Sequence, residues 1–422
     1  MNFNKKILIL AMASALPFMS AHAQSADDLK KEIELLKAQL KMLSDKVEAM
    51  SAKPAGVEPQ EFNRLVQKMD LVEEEADKAG LKGMKFKGVM DVTFQTDQLS
   101  AATGFDKSKG NGGNGAAMFE ISKEPDEGIG WTLRLVPLSA SGSIVHEATA
   151  SVAIGSNGAK LNVGLTPDYS GYEYSMGNLN PLVSNNLLYT HSAATNYVGA
   201  GMSYEIGDWT AKWMVGQVDG VATRKAPGFA YRADYSISEY TGLGFSGVHV
   251  RTNDPASGAN TDLMEIDGYH TRGDLTLQGQ FSVGRLIQGA LDGSGADARW
   301  WGLSGLVGYK LNPRLQAIAR FDYINNRANG GGMYYNPEST DAVGVTSTMF
   351  GPELDEFGAA ADPSRGANRY ALSAGFNYTV NANTQWKTEL RFDRSSGYNF
   401  VDSAGQYKKG NTTLGTSLVV SF

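Results

Sequence analysis

From Met84 to Phe422, apolar and polar residues alternate with period two in successive runs of about nine to eleven residues. Trp209, Ala211, Trp213 and Val215 alternate with Thr210, Lys212 and Met214. Phe229, Tyr231, Ala233, Tyr235 and Ile237 alternate with Ala230, Arg232, Asp234 and Ser236. Trp386, Leu390 and Phe392 alternate with Gln385, Lys387, Glu389, Arg391 and Asp393. Successive side chains of a strand point to opposite faces, so each run presents one apolar and one polar face. Runs of this length suit oblique crossing of a bilayer, and backbone groups in hydrocarbon must all be paired, so such a sheet has to close. The expected fold is all-β: a transmembrane antiparallel β-barrel of about 16 strands over residues 84–422, from a first run near 84–96 to a last near 412–422.

The connections sort by length. Short turn-like links at 155–158, 207–208, 312–313 and 381–383 alternate with mostly longer ones at 97–113, 168–195, 253–261, 285–297, 326–367 and 395–411. A chain entering from one side, with short turns there and long loops opposite, has this order. Aromatics near run ends (Trp131, Tyr204, Trp209, Trp300, Trp301, Tyr309, Tyr378 and Trp386) fit the girdles of a membrane barrel. The mean hydropathy of −0.28 does not oppose this, because only alternate strand positions meet lipid.

The N-terminal residues differ. Lys5 and Lys6, an apolar run over 7–19, and Ala21-His22-Ala23 read as an export signal over 1–23. Residues 24–83 are expected to form a helical arm in the periplasm. Leu29, Ile33, Leu36, Leu40, Leu43, Val47 and Met50 are spaced as a heptad seam, with Ile33, Leu40 and Val47 at a. Ile or Val at a with Leu at d favours dimers. The chain has no cysteine, which excludes disulfides and thiolate chemistry. Its net charge of −7, with both signs mixed, offers no basic stripe for nucleic acid.

The stretch LNVGLTPDYSGYEYSMGNLNPLVSNNLLY from Leu161, followed by TNYVGAGMSYEIGDWTAKWMVGQVDG, resembles the bacterial outer-membrane porins, in particular the β-barrel porins of the OmpL-like type. The chain also looks like proteobacterial porins with a coiled-coil arm. The final strand, ending in Phe422, resembles the signal read by the barrel-assembly machinery. The resemblance implies a protein of the outer membrane, contacting its lipid, that passes small hydrophilic solutes or ions by passive diffusion. It also implies trimers, against the dimer favoured by the heptad pattern.

In sixteen-stranded porins the third long loop narrows the barrel. By that resemblance, loop 168–195 is expected to do so here, with Asp168, Tyr169, Tyr172, Glu173 and Tyr174 at the constriction. Strand parity turns charges of both signs inward: Lys85, Lys87, Asp91, Arg134, Lys212 and Arg232, then Asp234, Arg320, Asp322, Lys387, Glu389, Arg391 and Asp393. Facing rows of opposite charge set up a transverse field in a pore. No catalytic residue, metal site or cofactor is expected: His146, His191, His249 and His270 fall in no nucleophile-elbow or HExxH context. The competing expectation is a structural barrel with little or no conductance, whose arm serves oligomerisation or tethering.

Overall fold

The computed structural model describes residues 83–99, 103–106, 117–124, 128–136, 144–155, 158–174, 179–193, 196–218, 227–250, 261–290, 292–328, 339–340, 346–347 and 352–422. The expected leader, its cleavage site and the heptad seam from Leu29 to Met50 lie outside these residues.

Sixteen long strands form one antiparallel sheet. They are β1 (Met84–Asp97), β2 (Ala117–Lys123), β3 (Ile129–Leu135), β4 (Val145–Ile154), β5 (Ala159–Thr166), β6 (Tyr197–Ile206), β7 (Trp209–Val218) and β8 (Gly228–Ser238). The second half comprises β9 (Thr241–Val250), β10 (Thr261–Arg272), β11 (Leu275–Leu286), β12 (Ala298–Asn312), β13 (Leu315–Ala328), β14 (Arg369–Asn381), β15 (Thr384–Ser395) and β16 (Gly410–Ser421). Each strand pairs with its chain neighbours, and β1 pairs with β16 from Val89↔Ser421 to Asp97↔Thr413, which closes the barrel. A short strand, Thr103–Asp106, pairs with the upper part of β1 beyond the reach of β2. One short helix, α1 (Leu187–His191), lies between β5 and β6.

The connections separate by end as expected. Five turns have only two residues: 207–208, 239–240, 273–274, 313–314 and 382–383. Gly207 and Gly273 hold the positive φ that tight hairpin turns demand (57° and 60°). The opposite rim carries the long loops, and two of them interlock there: Tyr398 N–H donates to the Leu354 carbonyl (2.8 Å) and Asn399 Nδ2 to the Pro352 carbonyl (3.0 Å).

The sheet is inside-out relative to a water-soluble protein. Phe229, Phe245, Ile266, Phe281, Val307, Phe321, Leu372, Phe392 and Leu418 are exposed on the outward face, while Asp91, Glu265, Arg320, Asp322, Lys387 and Glu389 are buried on the inward one. A continuous apolar exterior on this scale is stable only against hydrocarbon. Girdle aromatics Trp209, Trp301, Tyr309 and Trp386 stand outward. Trp300 corrects the expectation: it points inward, 3% exposed, because its parity on β12 is opposite to that of Trp301.

The closure uses the last residue. Gly88 N–H donates to the Phe422 carbonyl (2.9 Å), and Phe422 N–H to the Gly88 carbonyl (3.0 Å). A Cβ on Gly88 would stand 2.1 Å from the Phe422 ring, so a side chain here would have to displace that ring.

Candidate functional site

The connection from β5 to β6 folds into the barrel rather than over it. At its root, Asp168 accepts hydrogen bonds from the Ser170 N–H (3.1 Å) and from the Ser170 and Tyr197 hydroxyls. Tyr169 lies edge-on to Tyr197, with ring centroids 5.1 Å apart. Lys212 Nζ, from β7, stands over the Tyr169 ring at 4.3 Å. Burial pushes the Asp168 carboxyl up to about 6, although the hydrogen bonds from Ser170 and Tyr197 oppose this. Gly171 then turns the chain at φ 71°, where a side chain would meet Gln280.

Beyond the turn, the loop is bonded to the wall. Tyr172 Oη is 2.7 Å from Ser304 Oγ, which donates to Asp322 (2.6 Å). Glu173 accepts from Arg320 (2.8 Å), the Asn186 N–H (2.6 Å) and Asn185 Nδ2 (3.0 Å). Arg320 also donates to Asp322 (3.1 Å) and to the carbonyls of Ser184 (2.8 Å) and Asn185 (3.0 Å). Its side chain has no exposure, so this cation is held entirely between the loop and the wall.

From β15, Glu389 accepts from the Ser184 N–H (2.6 Å) and hydroxyl (2.7 Å), Arg391 donates to the Asn185 carbonyl (2.6 Å), and Lys387 donates to the Asn180 carbonyl. From β8, Arg232 reaches the Tyr169 carbonyl (3.0 Å) while paired with Asp267 (2.8 Å).

Helix α1 is capped by Asn186, whose side chain accepts from the Tyr189 N–H (2.6 Å). Leu188 fits against Gly302, where a Cβ would be 2.4 Å from its Cδ2. Leu182 packs with Leu306 and Ile318. Trp300 donates from its indole to Ser192 (2.9 Å) and holds the end of the helix.

The hydrogen bonds of residues 172–192 to the wall thus go to β11, β12, β13 and β15, while Tyr169 at the root meets Thr166 at the end of β5, Tyr197 on β6, Lys212 on β7 and Arg232 on β8. Along β1–β4 a second set of charges runs in register: Lys87↔Glu120↔Arg134, with Glu147 opposite Arg134 on β4. Arg134 bridges Glu120 (2.6 Å) and Glu147 (2.7 Å), and Lys87 bonds Glu120 (3.0 Å). Lys212 is within ion-pair distance of no carboxylate among the described residues, and its ammonium meets only the face of Tyr169.

The site residues expected from sequence therefore divide. Tyr169, Tyr172 and Glu173 are buried within the loop's own attachments, Asp168 is half-buried among its hydrogen-bond donors, and Tyr174 is exposed. Arg320, Asp322, Lys387 and Glu389 lie under the loop, while Asp91 is held beside the closure by Thr93 (3.1 Å) and Ser417. Lys85 pairs with Glu124 (3.0 Å) near the short-turn rim; Asp234 pairs with Arg232 (2.7 Å), and Asp393 with Arg391 (2.8 Å). Sequence reasoning missed the role of Trp300 and of the inward Gly302 and Gly415, which leave room for Leu188 and Val183. Their inward parity beside a long connection was the available signal.

A closed, inside-out, sixteen-stranded barrel with a loop folded into it is an outer-membrane protein of the porin type. Residues 86–422 match the family described as "Putative beta-barrel porin-2, OmpL-like", and the chain belongs to that family. Among solved structures, an anion-selective porin from Comamonas acidovorans shares the fold at TM-score 0.54 and 11% identity, over 80% of this chain and 99% of that one. OmpF of Salmonella typhi, in complex with daunomycin, does so at 0.50 and 12% identity, over 80% and 97%. A sequence search of curated proteins finds no match.

Proposed function

We propose that the barrel is a passive porin for small hydrophilic solutes or ions, narrowed by the inward loop 168–195. The observation that carries this reading is the one-sided attachment of the loop. It is bonded to the wall of β8, β11–β13 and β15, and Lys212 on β7 meets it only at the Tyr169 ring, while the charges on β2–β4 pair with one another and with Lys87. Solutes pass along that second wall, beside the alternating row Lys87, Glu120, Arg134 and Glu147. Asp168 and Glu173 fix the loop rather than face the solute, and Lys212 is the cation best placed to meet an anion. The exposed Tyr174 marks the loop's free side.

Self-association fits the heptad seam from Leu29 to Met50, and recognition by the assembly machinery fits the terminal Phe422. The test is single-channel conductance of the refolded protein in a planar bilayer under a salt gradient. Stable open steps support the porin. A folded barrel that passes no current would favour the structural reading, in which the loop and the wall form a plug.

A further inference from the structure

The outward face of β11–β15 ends differently at its two rims. At the long-loop rim, Arg285 on β11 stands opposite Arg299 on β12, and both point outward. One carboxylate, Asp297, answers both, at 2.8 and 3.5 Å, and their side chains remain 46% and 65% exposed. Arg327 on β13 and Arg394 on β15 share this face and rim and are also exposed. Neither has an ion-pair partner among the described residues. Tyr370, outward on β14, is level with Arg394 on β15 and with Tyr323 on β13, and Arg327 stands nearer the rim, beside Arg299. Directly beneath, on the same faces, lie Phe281, Val283, Trp301, Phe321, Leu390 and Phe392. At the opposite rim the same strands turn only uncharged residues outward, among them Tyr309, Leu311, Tyr378 and Trp386.

Guanidinium groups set above an apolar band fit a ligand that is anionic at one end and hydrocarbon at the other. Arginine binds phosphate oxygens in a fork, and at a membrane surface it is drawn to anionic headgroups. A free phosphate would gain nothing from the aromatic and aliphatic residues below. With strands about 4.8 Å apart, β11 to β15 spans roughly 19 Å of rim, wide enough for a headgroup with more than one phosphate. We propose that this rim binds the phosphate groups of a phosphorylated lipid of the outer leaflet, with its acyl chains along the band beneath. This rests on the reading above, in which the long loops face outward from the outer membrane.

The test uses the refolded full chain in neutral detergent, with bisphosphorylated lipid A and the same lipid stripped of both phosphates as probes. Bound lipid is counted by native mass spectrometry. The wild type is expected to bind the phosphorylated form about tenfold more tightly. Replacing Arg285, Arg299, Arg327 and Arg394 together by Gln should abolish that preference, and replacing all four by Lys should keep most of it. If the fourfold Gln variant does not fold, Arg327→Gln and Arg394→Gln singly should each weaken binding. Equal binding of both lipids by the wild type, or a preference that survives the Gln changes, overturns the proposal. Displacement of the lipid by millimolar inorganic phosphate would reassign the rim to free phosphate. Conductance is read separately: a barrel that conducts nothing yet keeps the lipid preference fails as a porin and leaves this inference standing.

Discussion

Arg320 joins three segments that are far apart in sequence: β13, both ends of the inward loop through Glu173 and Ser184, and β15 through Glu389. Burying one cation among three carboxylates costs desolvation, and the bonds recover it only while all partners are present. Arg320→Met should therefore cost about 3–5 kcal/mol by stranding Glu173 and Asp322. It should lower the temperature of the heat-induced gel-mobility shift and, by freeing the loop, raise single-channel conductance and its noise. Asp168 behaves differently. Its carboxyl is raised by burial to about 6, so the folded loop holds a proton that the unfolded chain releases near 4. Its contribution is thus favourable at low pH and lost as pH rises through that window. Asp168→Asn should stabilise the protein relative to wild type above about pH 6 and make no difference below about pH 4. Comparing the two proteins' heat-shift temperatures across that range checks it; equal values at every pH would place the charge in water.

Among the elements, α1 depends on an absence in the wall. Gly302→Val would set a side chain against the Leu188 methyl group and the Tyr323 carbonyl, the latter 2.8 Å from the added Cβ. The helix should be displaced while the barrel still closes, giving altered conductance with a normal mobility shift. A variant indistinguishable from wild type in conductance would show that this contact does not hold the helix.

Such requirements explain what the sequence does and does not disclose. Strand positions, parity and loop sorting follow from local alternation, and most strand ends fall within three residues of the sequence reading. The attachment of the loop is not local: Glu173 and Arg320 are 147 residues apart, and no pattern around either one names the other. For the same reason, Asp168 and Glu173 read as solute-facing acids and are instead bonded into the loop, Glu173 with its side chain buried. Trp300 read as a girdle residue because it neighbours Trp301, and only its inward parity separated them.

At the scale of the molecule, the barrel and the inward loop divide the lumen unequally. The half under β11–β15 is filled by a bonded network of charges, and the half along β2–β7 keeps half-exposed polar residues such as Ser151 and Asn162. Passage through the second half is the central claim. The chain has no cysteine, so single thiols can be placed at will. The most direct measurement is the effect of a charged methanethiosulfonate reagent on the conductance of two variants. One is Ser151→Cys, on the inward face of β4; the other is Ser373→Cys, on β14 between Arg320 and Arg391 with no exposure. The expected result is rapid modification and a stepwise fall in current for the first, and no reaction for the second. Modification of Ser373→Cys with block of current, while Ser151→Cys stays inert, would contradict the account and put the solute path under the loop.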